Sequence, residues 1–119
     1  MHTSYRESIT SILEKIDYID ENLRSYASTQ QALEDPVTTR PAILMLLVGI
    51  AEQMDRLEHK KAEEILRHFT PEERKGLRDI RNFIAHEYDG VDLPIIEWLI
   101  DEALPIVRRK CQMILSAEP

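Results

Sequence analysis

Four polar residues near position 85 have types and spacing that could do chemistry: Arg81, Asn82, His86 and Tyr88. An arginine guanidinium binds phosphate through paired, charge-assisted hydrogen bonds. A histidine imidazole gains and loses a proton near neutral pH, which suits general acid–base catalysis. The combination suits chemistry at a phosphate group, provided that Arg81 and His86 can reach the same group.

The helix that must carry these residues has a recognisable start and one apolar side. In Thr70-Pro71-Glu72-Glu73, threonine can cap, proline can take the first position, and a glutamate follows three residues after the cap. The pattern predicts a helix from there to about Glu87, followed by a turn at Asp89-Gly90. At about 100° per residue, its apolar residues form one core stripe: Leu77, Ile80, Phe83 and Ile84.

The opposite side of this helix places Arg78, Asn82 and His86 in one line at four-residue spacing. Arg81 lies about 140° from His86 around the axis, too far for both to reach one phosphate from an ideal helix. Either the helix unwinds before His86, or the same faces of two chains meet in a symmetric dimer, which we favour. The competing interpretation is that these side chains are simply solvated on an exposed helix.

Three further helices are predicted around this one. The second helix starts between Asp35 and Pro41, and the fourth starts at a capping Asp92 and is kinked at Pro105. Residues 59–69 either extend the second helix or form a short helix of their own. The first helix carries apolar residues at three- and four-residue spacing: Ile9, Ile12, Leu13, Ile16, Ile19 and Leu23.

The apolar composition of the second helix indicates that a partner chain covers part of it. From Ala42 to Ala51 it is apolar on every side, and such a helix must be covered on every side. Four helices from one chain leave it short of cover, although a monomer with this helix at its centre is the alternative. The sequence therefore predicts an all-α fold: one domain over residues 1–119, a four- to five-helix bundle that forms a homodimer.

The composition argues against several classes of protein. A single cysteine cannot form an internal disulfide, and the N-terminal residues lack the apolar stretch of a signal peptide. The ten apolar residues of the second helix are too few to cross a bilayer. These features favour a cytoplasmic protein with no membrane partner. No residues have convincing zinc-site spacing and no glycine-rich phosphate loop is present, so we expect neither metal nor cofactor.

The net charge of −7 weighs against an extended nucleic-acid groove, because phosphate binding is largely electrostatic. Residues 1–59 carry five bases and ten acids, and residues 82–119 carry three bases and seven acids. Residues 60–81 carry seven bases and five acids. This one basic stretch ends at Arg81, so a local positive site is compatible with an acidic protein.

The segment from Leu77 to Leu93, LRDIRNFIAHEYDGVDL, resembles the HEPN superfamily. Within it, the segment is most similar to the HepT-like toxins of two-gene toxin–antitoxin modules. Those proteins carry Arg, a polar residue, three further residues, His, any residue and Tyr, a pattern that Arg81, Asn82, His86 and Tyr88 satisfy. The similarity is strong as far as position 105 and looser in the preceding helices.

The resemblance implies a dimeric bundle with two motifs around a shared cleft, and a metal-independent endoribonuclease. His86 would act as general acid or base at the ribose 2′-hydroxyl or the leaving oxygen. Arg81 would hold the scissile phosphate and stabilise transition-state charge, and Asn82 would bind the phosphate or orient the imidazole. We add Arg78, by its place on the helix, as a second phosphate contact. Tyr88 resembles the tyrosine to which a nucleotidyltransferase antitoxin adds AMP, whose bulk and charge would exclude RNA.

Two other functions compete with RNA cleavage. The first is a non-catalytic helical module that binds a nucleotidyltransferase partner or a nucleotide through the same face. The second is a phosphotransfer bundle with His86 as the phosphoryl acceptor. Asp89 stands where such domains usually carry a lysine, which disfavours this second alternative. Glu87 also adds an acid beside the proposed site.

Overall fold

A computed structural model describes residues 1–86 and 90–117, with the backbone alone for residues 85 and 86. The described residues contain helices and no strand, which confirms the predicted all-α class. The elements are α1 Thr3–Leu23, α2 Thr29–Leu33, α3 Thr39–His59, α4 Glu63–Leu66, α5 Pro71–His86, α6 Leu93–Trp98, a π-helical segment Leu99–Ala103, and α7 Leu104–Ser116.

Two short helices refine the prediction. The sequence did not predict α2, which Ser28 caps by accepting a hydrogen bond from the Gln31 backbone N–H at 3.1 Å. Residues 59–69, left open between two possibilities, contain a short separate helix, α4. Lys61 separates α3 from α4 with φ of 53°, a left-handed conformation that no helix can continue.

The Asp35 carboxylate orders the connection between α2 and α3. It accepts hydrogen bonds from the backbone N–H groups of Val37 and Thr38, from the Thr38 hydroxyl, and from the Tyr26 hydroxyl at 2.9 Å. These donors, the Val37 N–H foremost, hold the pKa of Asp35 well below its usual range. The α3 helix therefore starts at Thr39, within the interval that the sequence predicts.

The predicted fourth helix is divided by a π-helical segment. Its start is as predicted, because Asp92 accepts a hydrogen bond from the Ile95 backbone N–H at 3.4 Å. Leu99–Ala103 is then π-helical, and α7 has Pro105 in its first turn. Proline has no N–H to donate, so the regular bonding pattern cannot continue across it. The disturbance predicted at Pro105 thus extends over the preceding turn.

The α3 helix is the centre of the bundle. It packs against α1 on one side and α5 on another, while α7 packs on α1. The backbones of α5 and α7 approach each other at few points, so the bundle is less tightly packed along that edge. The shared core is built mainly from these fully buried side chains: Ile9, Ile12, Ile16, Ile19, Ile43, Leu44, Leu47, Ile50, Met54 and Leu57.

Gly49 of α3 lies against the Lys15 side chain of α1. The aliphatic end of the Lys15 side chain occupies the space that a Cβ at Gly49 would take. The Lys15 ammonium then donates a hydrogen bond to the Ser11 hydroxyl at 2.7 Å. A glycine inside a helix costs about 1 kcal/mol relative to alanine, and here it gives Lys15 a path across α3.

The Glu58 carboxylate joins α5 to α3. It accepts two hydrogen bonds from the Arg74 guanidinium, each of 2.7 Å, and lies 3.5 Å from an Arg78 guanidinium nitrogen. The hydrogen bonds from Arg74 hold the pKa of Glu58 below its ordinary value of 4.5. With its side chain only 15% exposed, Glu58 fixes the rotational setting of α5 on α3.

We predict that Glu58→Gln lowers the free energy of unfolding at pH 7 by roughly 1–2 kcal/mol, because it weakens a charge-assisted pair. A carboxylate with a lowered folded-state pKa stabilises the protein fully above its unfolded pKa and loses that effect as pH falls. The gap between wild type and variant should therefore narrow below about pH 4.5 in urea unfolding. Glu64→Gln, at an exposed residue without an ion pair in the described structure, serves as the control. Parallel pH curves for wild type and Glu58→Gln would contradict the prediction.

Candidate functional site

Helix α5 starts and ends close to where the sequence predicts. The Thr70 backbone N–H donates to the Glu73 carboxylate at 2.8 Å, and the Glu73 backbone N–H donates to the Thr70 hydroxyl at 3.1 Å. This reciprocal pair is the predicted capping box. The backbone stays α-helical through His86. Arg81 and His86 thus remain about 140° apart around one helix axis. The alternative in which the helix unwinds before His86 is therefore wrong.

Arg81 faces an open groove between α5 and the polar end of α3. The groove has a volume of about 340 Å³, and α3 contributes Glu52, Asp55, Arg56 and His59 to its lining. Arg81 is exposed and has no ion-pair partner among the described residues. No described side chain thus competes with an anion from solvent for this guanidinium.

Arg56 and His59 are the residues that sequence reasoning missed. Both are exposed, and Arg56 also lacks an ion-pair partner in the described part of the chain. Glu52, Asp55, Arg56 and His59 recur at three- and four-residue spacing, which places them on one face of α3. That spacing was visible in the sequence, but only the packing of α5 on α3 shows that this face meets Arg81.

The other residues proposed for the site differ in their exposure and in their contacts. Asn82 is exposed on the outer side of α5. Arg78 is directed to Glu58, with its side chain 41% exposed, so a phosphate would have to compete with that carboxylate. His86 is the last residue of α5, and its side chain is not described. Tyr88 lies outside the described residues, and so does Asp89, the first residue of the turn predicted at Asp89-Gly90.

Three further observations concern the rest of the molecule. Among the described residues, no group of three or more His, Cys, Asp or Glu side chains is placed to hold a metal ion. Cys111 is fully buried, and burial raises the pKa of its thiol to about 12. Over the same described residues, no helix combines the length and apolarity needed to span a membrane.

Fold and site together define a helical bundle that presents an exposed arginine and a histidine on one helix, the arginine without an ion-pair partner in the described part of the chain. Residues 12–114 match the family described as Ribonuclease HepT-like, and the chain belongs to this HepT-like family. The matched range includes α3, α5 and the Arg81-to-Tyr88 motif, so the family resemblance drawn from the motif is confirmed. Comparison with curated proteins and with solved structures gave no match.

We predict that Arg81→Ala leaves the free energy of unfolding within about 0.5 kcal/mol of wild type, because exposed residues outside a network contribute little to stability. Arg74→Ala should instead cost roughly 2 kcal/mol, since it leaves the half-buried Glu58 without its bidentate partner. Chemical denaturation of the two variants makes the comparison. A loss for Arg81→Ala as large as that for Arg74→Ala would give Arg81 a structural role.

Proposed function

We propose that this protein is a metal-independent endoribonuclease that acts as the toxin of a two-gene toxin–antitoxin module in the cytoplasm. The observation that carries the proposal is the exposed Arg81, which has no ion-pair partner among the described residues. It lies on α5, the helix that includes His86, in a chain of a ribonuclease family. An unpaired cation on an acidic protein is well suited to bind one phosphate group of a larger anion.

The reaction we propose is transfer of the phosphate to the neighbouring ribose oxygen. The 2′-oxygen loses its proton to a histidine and attacks the phosphorus, while the 5′-oxygen of the next nucleotide leaves with a proton from an acid. His86 supplies the proton transfer, Arg81 stabilises the charge on the phosphate oxygens, and Asn82 binds the phosphate or orients the imidazole. Arg78 could add a second contact only by loosening its link to Glu58.

A homodimer completes this site. Since α5 is regular through His86, Arg81 of one chain and His86 of another can form a composite site when two such faces meet. The apolar half of α3 offers a contact surface, because Met45 is 63% exposed and Val48 and Gly49 are partly exposed beside it. This apolar surface leads along α3 towards the groove that contains Arg81.

The alternative is a non-catalytic module that binds a nucleotidyltransferase partner or a nucleotide through the same face. The acids Glu52 and Asp55 beside Arg81 favour it, because they repel phosphate. RNA cleavage by wild type and by a variant without His86 distinguishes the two functions. Only a ribonuclease would lose an activity in that variant.

We predict that His86→Ala and Arg81→Ala each lower cleavage of single-stranded RNA at least about 100-fold. If the site combines Arg81 of one chain with His86 of the other, an equal mixture of the two variants should regain about a quarter of wild-type activity. The reason is that half of the randomly formed dimers then hold one intact site out of two. Cleavage of a fluorescent oligoribonucleotide measures both effects.

Two other outcomes of mixing the His86→Ala and Arg81→Ala variants would also be informative. No rescue from subunits that exchange freely would mean that Arg81 and His86 act from the same chain. Equal, undiminished cleavage by all variants would remove the motif from catalysis. Met45→Lys should give monomers in size-exclusion chromatography and lose cleavage with them, because it places a charge in the proposed contact.

We predict that Tyr88 is where a partner nucleotidyltransferase silences this ribonuclease. Co-expression with such an enzyme should add the mass of AMP to wild type and abolish RNA cleavage, because a phosphate group at Tyr88 repels RNA near Arg81. Tyr88→Phe should stay unmodified and active in the same cells, as mass spectrometry and the cleavage assay can show. Label on the Phe variant would place the modification elsewhere, for which Tyr5, Tyr18 and Tyr26 are the available tyrosines.

A further inference from the structure

A second groove lies along the loosely packed edge of the bundle, on a different side of α5 from Arg81. It has a volume of about 450 Å³ and runs between α5 and the stretch from Trp98 to Val107. The buried Leu77 and Val107 belong to its lining, together with the partly exposed Leu99 and Ala103. Its lining is thus mainly apolar, unlike that of the groove at Arg81.

Two large apolar side chains stand exposed in this groove. Trp98 is 58% exposed and Ile106 is 36% exposed. Binding grooves are commonly lined by apolar and aromatic side chains. Tryptophan in particular is enriched among residues that dominate binding energy at protein interfaces. Covering the Trp98 and Ile106 side chains would lower the free energy by removing apolar surface from water.

Gly76 keeps the groove open from the α5 side. A Cβ built at Gly76 meets nothing within 4 Å, so no neighbour of this residue requires a glycine. Its φ is not positive either, and a glycine within a helix costs about 1 kcal/mol relative to alanine. Packing inside the chain therefore does not explain Gly76, whereas a visiting side chain that needs the space would explain it.

The charges around the groove are acidic. Glu72 and Glu102 are exposed in its lining, and neither has an ion-pair partner among the described residues. Glu73 also lines it but pairs with Lys110 of α7. No lysine or arginine is part of the described lining. An occupant that places positive charge at Glu72 and Glu102 is favoured, and one with carboxylates there is repelled.

This charge pattern separates the groove from the surface proposed for the homodimer. A symmetric contact brings the same patch of two chains together, so groove against groove would face Glu72 and Glu102 with their own copies. The α3 surface instead carries both positive and negative charges at its polar end, where Glu52 and Asp55 lie beside Arg56. Self-association suits the α3 surface, and the groove suits a different molecule.

We propose that the groove binds a basic amphipathic helix of a different protein. An apolar side chain of that helix fills the space beside Gly76 and packs on Trp98, and its lysines or arginines pair with Glu72 and Glu102. The π-helical segment shapes one wall, in keeping with the frequent occurrence of such segments at functional sites. This inference goes beyond the proposed ribonuclease function and does not depend on RNA cleavage.

Trp98 makes the groove directly observable, because it is the only tryptophan in the chain. The probe is a synthetic helical peptide of about four turns, with leucines on one face, lysines on the other and no aromatic residue. Two matched peptides serve as controls: one with the same residues in scrambled order, and one with glutamate in place of lysine. Titration with the lysine peptide should move the Trp98 emission to shorter wavelength and saturate, and the two control peptides should not.

The variants test the groove itself. Gly76→Leu should weaken binding of the lysine peptide at least about tenfold, because its side chain occupies the groove. It should also unfold at the same or higher temperature, since leucine favours helix over glycine. Glu72→Lys with Glu102→Lys should reverse the preference towards the glutamate peptide, whereas Glu64→Lys, away from the groove, should bind as wild type does.

Several outcomes would overturn the inference. Absence of any emission shift with the lysine peptide would do so, as would equal binding of the scrambled peptide. Undiminished binding by a folded Gly76→Leu would place the peptide elsewhere. A shift of Trp98 emission that follows protein concentration alone, without peptide, would show that a second copy of this chain fills the groove. None of these results depends on whether the protein cleaves RNA.

Discussion

The rotational setting of α5 on α3 depends on one carboxylate, that of Glu58. The core stripe of α5, with Leu77, Ile80 and Ile84 buried, holds the helix against the bundle, but apolar contacts are not directional. The paired hydrogen bonds from Arg74 to Glu58 are directional, and they are half-buried. With α5 held in that setting, Arg81 faces the polar end of α3 and Gly76 faces the groove towards α7.

Features of α5 that depend on near neighbours in the chain were predictable from the sequence. The capping box of Thr70 and Glu73 and the spacing of apolar residues led to a helix that starts beside Thr70, as observed, and is described as far as His86. The Glu58 pairing was not predictable, because it joins residues sixteen positions apart whose contact exists only after packing. Arg78 accordingly looked free on the helix surface, yet its guanidinium is directed to Glu58. The sequence indicated His59 only as a surface residue and did not single out Arg56, since their own helix carries no sign that Arg81 lies opposite.

The two open apolar surfaces follow from the unequal packing of the bundle. The sequence left open whether a partner chain or the chain's own helices cover the apolar part of α3. One chain buries most of it, Ile43, Leu47 and Ile50 included, and leaves Met45 exposed. The groove at Trp98 was not predictable from the sequence. Pro105 inside a partly apolar helix predicts a kink, but it does not predict the π-helical segment that lines one side of the groove. Charge then distinguishes the surfaces: both signs continue from Met45 along α3, whereas only acids border the groove without a partner in the described structure. A mixed border permits contact between identical chains, and an acidic one disfavours it.

The geometry of α5 also constrains how a partner could silence the proposed site. Gly76 and Arg81 are five residues apart and therefore about 140° apart around the helix. A helix lodged beside Gly76 would contact α5 while leaving the guanidinium of Arg81 open to solvent. Docking in the groove would thus hold a partner on the protein without blocking a phosphate from Arg81. Under the proposed function, inhibition would therefore need a second event at the motif itself, such as the proposed addition of AMP to Tyr88.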